Sequence, residues 1–500
     1  MVYSWYSSYP LSVDSLDDFI FNHMSVLYWI SLSLLIPSMY MISVASKNNY
    51  LKWIMTVGIV LTMYSVSYFY YLLPGSDSVY FRGMHEYFNE TKSLDFSVPG
   101  KEYFQWPSIF ILTNIATSIS GLELANLEFI IYTLLGFLLA TTLYIYASKV
   151  HRNGGFITVI VYFLAMRYYL NYQFVPFTMA LVLLFLLFIL DTKRKSPGVV
   201  LTMFVLFVTM TITHLFTPLF FVIYLLLRYI INRSKQYVQF FLLTLTTWIM
   251  FQITYAYISF DGSIWILINR STEVSLLDLA TANPVSVPID AISQSISTAI
   301  LVISILICVI GSIVMLIRRK IRGSDWAIFI TAVGYFSLGI VIYVLGSRAI
   351  PLAFIPVSLG AAYIFESRFR KYLVSLVLIL LILFSFIPLH SAFSKNDIMF
   401  QTKEAYMAEN FFVENYNWAD RSIVFANFRV VTYFASKLID NPLLRWKYQT
   451  LNETDTIFYT IGLGLYLSQY NDTLVRILHE ETSNLVYTNG FSMIITKVGP

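Results

Sequence analysis

Cysteine is almost absent from this chain. Cys308 is the only one, so a disulfide framework and a cysteine-based metal site are both excluded. It sits inside the apolar run SISTAILVISILICVIGSIVML, where it reads as a small core residue. Charge is scarce too, at 12% of residues against 58% hydrophobic, with a mean hydropathy of +0.69. Soluble domains carry about 25% charged residues, so a polytopic membrane protein is expected. The net charge of +4 says little until it is split by side of the membrane, and no nucleic-acid partner is expected. Residues 1–25 lack the basic start of a cleavable signal peptide and hold Asp14, Asp17 and Asp18 instead.

What the chain does have is apolar runs. A bilayer span takes about 20 such residues, about 17 at the short end. Twelve stretches qualify: 26–46, 51–73, 126–148, 155–172, 174–190, 198–213, 215–231, 236–258, 293–317, 325–345, 349–365 and 371–391. Lys and Arg cluster in every second connection, from Lys47 and Lys52 through Lys149 and Arg152 to Arg368, Arg370 and Lys371. Those six connections hold 17 of the 32 basic residues but only 3 of the 28 acidic ones. A basic excess in short loops sets orientation, so these six are expected in the cytoplasm. Both termini and the loops 74–125 and 259–292 then face outward. Sequons at Asn89, Asn269, Asn452 and Asn471 fall on the outer side, whereas the one at Asn232 does not.

Three regions lie outside the spans. PSIFILTNIATSIS (107–120) is too short to cross, and its apolar positions suit a helix in or just under the outer interface. The loop 259–292 either rests on the membrane surface over a cavity or is an ordinary connection. From about residue 392 hydropathy drops and a small outward-facing α/β domain (392–500) is expected, after a transmembrane domain at 1–391. Residues 403–417, 430–438 and the run from Asp455 to Tyr470 read as helices, and RSIVFA (421–426) as a strand. Asn489-Gly490 between two β-prone runs signals a hairpin. This domain has no Gly-rich phosphate loop, no zinc spacing and no nucleophile elbow.

Polar groups at the ends of apolar runs carry the functional information, because hydrocarbon offers them no hydrogen bonds. They are Asp77, His85, Glu86, Arg167, His214, Arg270 and Arg348, and all fall on the expected outer side. Each has a plain structural reading beside the functional one. Arg167 snorkels or binds substrate. His214 is a helix-end polar residue or a ligand, Arg348 an ion pair or a substrate contact, and Glu86 a solvated loop carboxylate or a site group. Asp77 follows Pro-Gly-Ser directly after a span, and is the candidate catalytic base. The chemistry that fits is displacement of a lipid phosphate from a sugar: a carboxylate takes the acceptor proton, and Arg or His lines the departing phosphate.

These segments resemble the type-C, multi-spanning membrane glycosyltransferases, in their archaeal-looking form. The likeness rests on GSDSVYF, with Asp77 just past a helix, and on QWPSIFIL, an aromatic-Pro start to a juxtamembrane helix. NYQFVPFTMALVLL, THLFTPLF and GSRAIPLAFIP follow in order, then an outer C-terminal domain. The resemblance implies a polyprenyl (dolichyl) phosphate-linked donor, a glycan, lipid or protein acceptor, inverting transfer and Asp77 as base. Phosphate binding then maps onto Arg348 first, and onto Arg167 and His214 after it. Two departures stand out. A helix at 26–46 precedes the one before the acidic loop, and the oligosaccharyltransferase Trp-Trp-Asp-Tyr-Gly motif is missing, its nearest counterpart being Tyr416-Asn417-Trp418-Ala419-Asp420. A monosaccharide transferase is therefore favoured. Asp77-Ser78 is not a paired-carboxylate motif, so a required divalent ion is not supported, although one stays possible.

The expected setting is a plasma or endoplasmic-reticulum-like membrane, with the active site outside the cytoplasm. A transporter or flippase is the main rival from another class. A lipid-linked glycan polymerase or ligase, using outer Arg and His without Asp77, is the third reading.

Overall fold

The computed structural model describes residues 25–69, 76–94, 102–151, 154–170, 176–192, 196–257, 291–317, 327–334, 343–366, 368–394, 422–425, 456–460, 483–488 and 492–497. Helix starts and stops follow local sequence. The side chain of Ser25 accepts from the Tyr28 N–H to cap α1 (Val26–Ala45), and Asn48 does the same through Tyr50 for α2 (Asn49–Tyr64). A 3₁₀ turn (Ser65–Phe69) extends α2, and α3 (Ser76–Thr91) follows. Next come α4 (Ser108–Ser120), α5 (Leu124–Val150) and α6 (Gly154–Leu170). Gly121 ends α4 at a φ of 67°, a left-handed conformation that glycine adopts without steric cost.

Pro176 and Pro197 open α7 (Pro176–Asp191) and α8 (Pro197–Thr211), where a missing backbone N–H costs nothing. The bundle continues with α9 (Phe216–Asn232), α10 (Lys235–Thr254), α11 (Ala291–Ile317), α12 (Tyr343–Gly360) and α13 (Arg368–Ser394). Residues 327–334 are also helical. Each expected span therefore overlaps helix among the described residues, the one at 325–345 over 327–334 and 343–345. Length is a different matter. Among the described residues four helices are long and apolar enough to cross a membrane: Val26–Ala45, Asn126–Val150, Lys235–Thr254 and Ser295–Met315. In the other apolar helices the qualifying stretch is 10–17 residues, so the expected twelve crossings are not established by helix length.

Burial sorts the helices into a centre and a rim. Every residue of α6 from Gly154 to Met166 is buried, and α7 is buried nearly all round. By contrast α1 exposes Leu27, Ile30 and Leu34, α10 exposes Leu242, Met250 and Ile253, and α13 exposes Leu373, Leu376 and Leu380. Helices that are apolar on their outward faces as well as their inward ones suit a lipid surround, not water. α11 and α12 cross on glycine: a β-carbon on Gly311 would land on the Gly360 carbonyl, and one on Gly360 would meet Ser312. Small residues let helix backbones approach this closely.

The C-terminal region contributes four strands in the order β1-β2-β4-β3: β1 (Ser422–Phe425), β2 (Thr456–Thr460), β3 (Ser483–Thr488) and β4 (Ser492–Lys497). β1 and β2 are parallel, and the other pairs are antiparallel. The strand expected at 421–426 and the hairpin around Asn489-Gly490 are present. The helix expected from Asp455 to Tyr470 is not there at its start, because TIFYT forms β2. Its β-branched and aromatic residues favour a pleated surface over a helix. The helices expected at 403–417 and 430–438 lie outside the described residues.

Candidate functional site

The stretch after α2, expected as a loop, is built around two short helices. Asp77 occupies the first turn of α3, where a carboxylate also suits the positive end of the helix dipole. Phe81, Met84, His85 and Phe88 of α3 are buried, and their spacing marks a single helix face. That face meets the segment leading into α4. Ring centroids of Phe81 and His85 lie 5.9 and 4.8 Å from that of Phe110, and Phe88 lies 6.3 Å from Phe104. Asp77 stands one turn before Phe81, at a position on the same face.

The first turn of α4 also reaches the other way. The Ser108 N–H donates to the Ile212 carbonyl at 3.3 Å, and the Ser108 hydroxyl pairs with that of Thr213 at 2.7 Å. Next along is His214, buried, with its ring 5.2 Å from that of Phe177 at the start of α7. The Thr217 N–H donates to His214 Nδ1 at 3.3 Å and the Thr217 hydroxyl lies 2.9 Å from the same nitrogen. An Nδ1 that accepts leaves the proton of a neutral imidazole on Nε2. The Ser108 hydroxyl also lies 3.8 Å from Met179 Sδ of α7, so the Thr213-His214 turn and the start of α7, both distant in sequence, converge on the first turn of α4.

The arginines of the bundle point to the same end by connectivity. α5 and α6 form an antiparallel hairpin in which Tyr132 and Phe163 both pack on Tyr64, at 4.7 and 6.1 Å. One turn further toward α3 on each helix stand Glu128 and Arg167. The Tyr162 hydroxyl donates to the Pro351 carbonyl of α12 at 3.1 Å, and Thr158 Oγ1 to that of Ser358 at 3.3 Å. α12 therefore runs antiparallel to α6, and its residue Arg348 lies at the end where Arg167 lies. Glu86 is half-buried on α3. Arg270 falls outside the described residues.

Among the described residues, a buried charged contact at this end joins Arg82, which stands with Asp77, His85 and Glu86 in the stretch 72–107, to Glu128, which the sequence did not single out. Arg82 Nε and Nη2 both donate to Glu128 Oε2, at 3.0 and 2.9 Å, and both side chains are fully buried. Glu128 Oε1 has no hydrogen-bond partner among the described residues. The signal was available, since Glu128 sits within the apolar run of α5, where a carboxylate is costly. Among the described residues no group of three His, Cys, Asp or Glu is placed to hold a metal ion.

His85, beside Arg82 and 1% exposed, is held neutral. Burial first, and the Arg82 charge second, lower its pKa from 6.5 to about 3. A folded-state value below the unfolded one means stability that is complete above pH 6.5 and is lost as pH falls toward 3. The thermal midpoint of the purified protein is therefore expected to drop more steeply between pH 6.5 and 4 than that of a His85→Gln variant. Parallel pH profiles would remove His85 as a cause.

The opposite end of the bundle holds a buried polar cluster of its own. Asp191 at the end of α7 is buried. Its Oδ2 accepts from the Tyr224 hydroxyl at 2.7 Å and lies 3.4 Å from Arg228 Nη2. The Arg228 guanidinium also bonds the Tyr237 hydroxyl at 2.7 Å and lies over that ring. By sequence these charges belong to short cytoplasmic connections. Tertiary packing instead ties α7, α9 and α10 together with them.

No protein-family profile matches the chain, and no characterised protein matches it in sequence. Among solved structures, it aligns with a cryo-EM structure of a mutant form of the arabinofuranosyltransferase AftD from mycobacteria. The alignment covers 90% of this chain and 41% of that one, at 11% identity and a TM-score of 0.48. The chain thus spans less than half the length of that protein. A likeness at this level carries no functional argument.

Proposed function

We propose that the chain is an integral membrane glycosyltransferase that moves a sugar from a polyprenyl-phosphate donor to an acceptor hydroxyl on the outer face. The observation that carries this reading is the convergence on α4: the helix bearing Asp77, the His214 turn and the start of α7 all meet it, at the end of the bundle where Arg167 and Arg348 lie. Asp77 takes the acceptor proton. The acceptor oxygen attacks the anomeric carbon, the bond from that carbon to the phosphate oxygen breaks with inversion, and polyprenyl phosphate leaves with the electron pair. Arg348, then Arg167 and the Nε2–H of His214, stabilise the negative charge of that leaving group. His85, in the wall between α3 and α4, acts by shaping the site.

The reading is tested with purified protein, radiolabelled polyprenyl-phosphate sugars and membrane glycan acceptors. Arg348→Ala is expected to raise the KM for the lipid donor roughly 10–100-fold, the loss of a charged hydrogen bond, and Arg167→Ala by less. Equal or reversed effects would displace Arg348 from the phosphate role. A transporter is the second reading, favoured by the buried Asp191–Arg228 contact at the far end, since a transport path needs polar groups on both sides. Uptake of a labelled lipid-linked sugar into vesicles without any transfer would favour it.

A further inference from the structure

We infer that the side-chain amide of Gln252 reads a sugar hydroxyl beside the first turn of α4. The inference rests on the glycosyl-transfer reading and deepens it, adding a contact to a sugar where Arg348, Arg167 and His214 serve the phosphate. Gln252 is 0% exposed, and neither its Nε2 nor its Oε1 has a hydrogen-bond partner among the described residues. A buried amide without partners is costly. In a native chain such a group calls for a reason, and a ligand that brings the missing partners is one.

The place of Gln252 in the fold says which ligand. Phe240, Thr244, Trp248 and Gln252 recur at every fourth residue and form the inward stripe of α10, which packs on α9 and α8. Trp248 Nε1 donates to the Leu215 carbonyl at 3.2 Å, and the Arg228–Tyr237 bond near the opposite end fixes α9 and α10 as an antiparallel pair. Gln252, one turn past Trp248, therefore stands at the level of the turn from Ile212 to His214, whose Ile212 and Thr213 hold Ser108. Two further elements at this joint carry buried polar atoms with no hydrogen-bond partner among the described residues: Trp106 Nε1, two residues before Ser108, and Thr178 Oγ1, next to Met179. An indole N–H, a hydroxyl and an amide are neutral, and together they both donate and accept. A phosphate oxygen only accepts, and would leave Gln252 Oε1 facing negative charge. A sugar hydroxyl donates and accepts at once, which matches both atoms of the amide. Water does not reach the group, so the hydroxyl arrives on a ligand, either the donor's sugar or that of a glycan acceptor.

The test is Gln252→Met in the full chain purified in detergent, a change that keeps the length of the side chain and removes both polar atoms. Without ligand, its thermal midpoint is expected at or above the parent's, because a buried amide without partners is gone. A clearly lower midpoint, or a variant that does not accumulate, means that the amide is bonded within the fold, and overturns the proposal. Binding is then measured for bare polyprenyl phosphate, for polyprenyl-phosphate hexose and pentose, and for a membrane glycan lipid. The Kd for a sugar-bearing ligand is expected to rise about tenfold, the loss of one hydrogen bond, while that for bare polyprenyl phosphate stays at the parental value. A rise for the polyprenyl-phosphate sugar places the hydroxyl on the donor, and a rise for the glycan lipid alone places it on the acceptor. Parental Kd values for all sugar-bearing ligands, or equal weakening of bare polyprenyl phosphate, overturn the proposal and leave the glycosyltransferase reading standing. If the parent binds these ligands but transfers no sugar, that reading fails while the Kd of Gln252→Met still decides the contact. If the parent binds no sugar-bearing ligand, both fail.

Discussion

Asp77→Asn is expected to lower sugar transfer by about 10²–10⁴-fold, the range that a positioned general base contributes. Expression, thermal midpoint and lipid-donor affinity should stay close to those of the parent. The amide keeps the size of the carboxylate and cannot take a proton from the acceptor hydroxyl. The helix should survive the change, because the carboxylate in the first turn of α3 contributes only about 0.3–1 kcal/mol through the helix dipole. The measurement is kcat with a saturating labelled polyprenyl-phosphate sugar, beside binding of unsugared polyprenyl phosphate. Loss of kcat with intact binding supports Asp77 as base. Undiminished transfer removes Asp77 from the mechanism and leaves the polymerase or ligase reading, which needs only outer Arg and His.

The second large effect is on stability. Glu128→Ala removes the carboxylate oxygen to which the fully buried Arg82 guanidinium donates twice. Breaking a buried pair from one side costs about 3–5 kcal/mol, a large share of the roughly 5–15 kcal/mol typical of a folded domain. A drop of many degrees in the thermal midpoint is expected. Glu128→Gln, which keeps an acceptor for one Arg82 N–H, should lose less. Arg82→Met with Glu128→Leu, which removes the buried cation together with the carboxylate, should cost less than Glu128→Ala alone. A Glu128→Ala midpoint equal to the parent's would remove the Arg82–Glu128 contact as a source of stability.

Some of this was legible in the sequence because it depends on neighbours along the chain. Among the described residues, every apolar run expected to span contains helix, since a helix satisfies its own backbone within the run. Pro107 marked a helix start, and Asn489-Gly490 marked a hairpin, for reasons confined to a few residues. The β2 strand escapes a helical reading of 455–470 for the reverse reason. TIFYT carries strand propensity, but only its pairing with β1 and β4 selects a strand over one turn of an apolar helix.

Sequence order alone determined that this chain is a string of apolar helices with a small β-containing tail, and that a few charged and imidazole side chains stand at the helix ends. Only the tertiary structure decided which of them meet. Arg82 and Glu128 are 46 residues apart, and Asp191 and Tyr224 are 33 apart. No local pattern pairs them. Burial selects the partners, because a charge removed from water keeps its ionised form only where the fold brings an opposite one within hydrogen-bond reach.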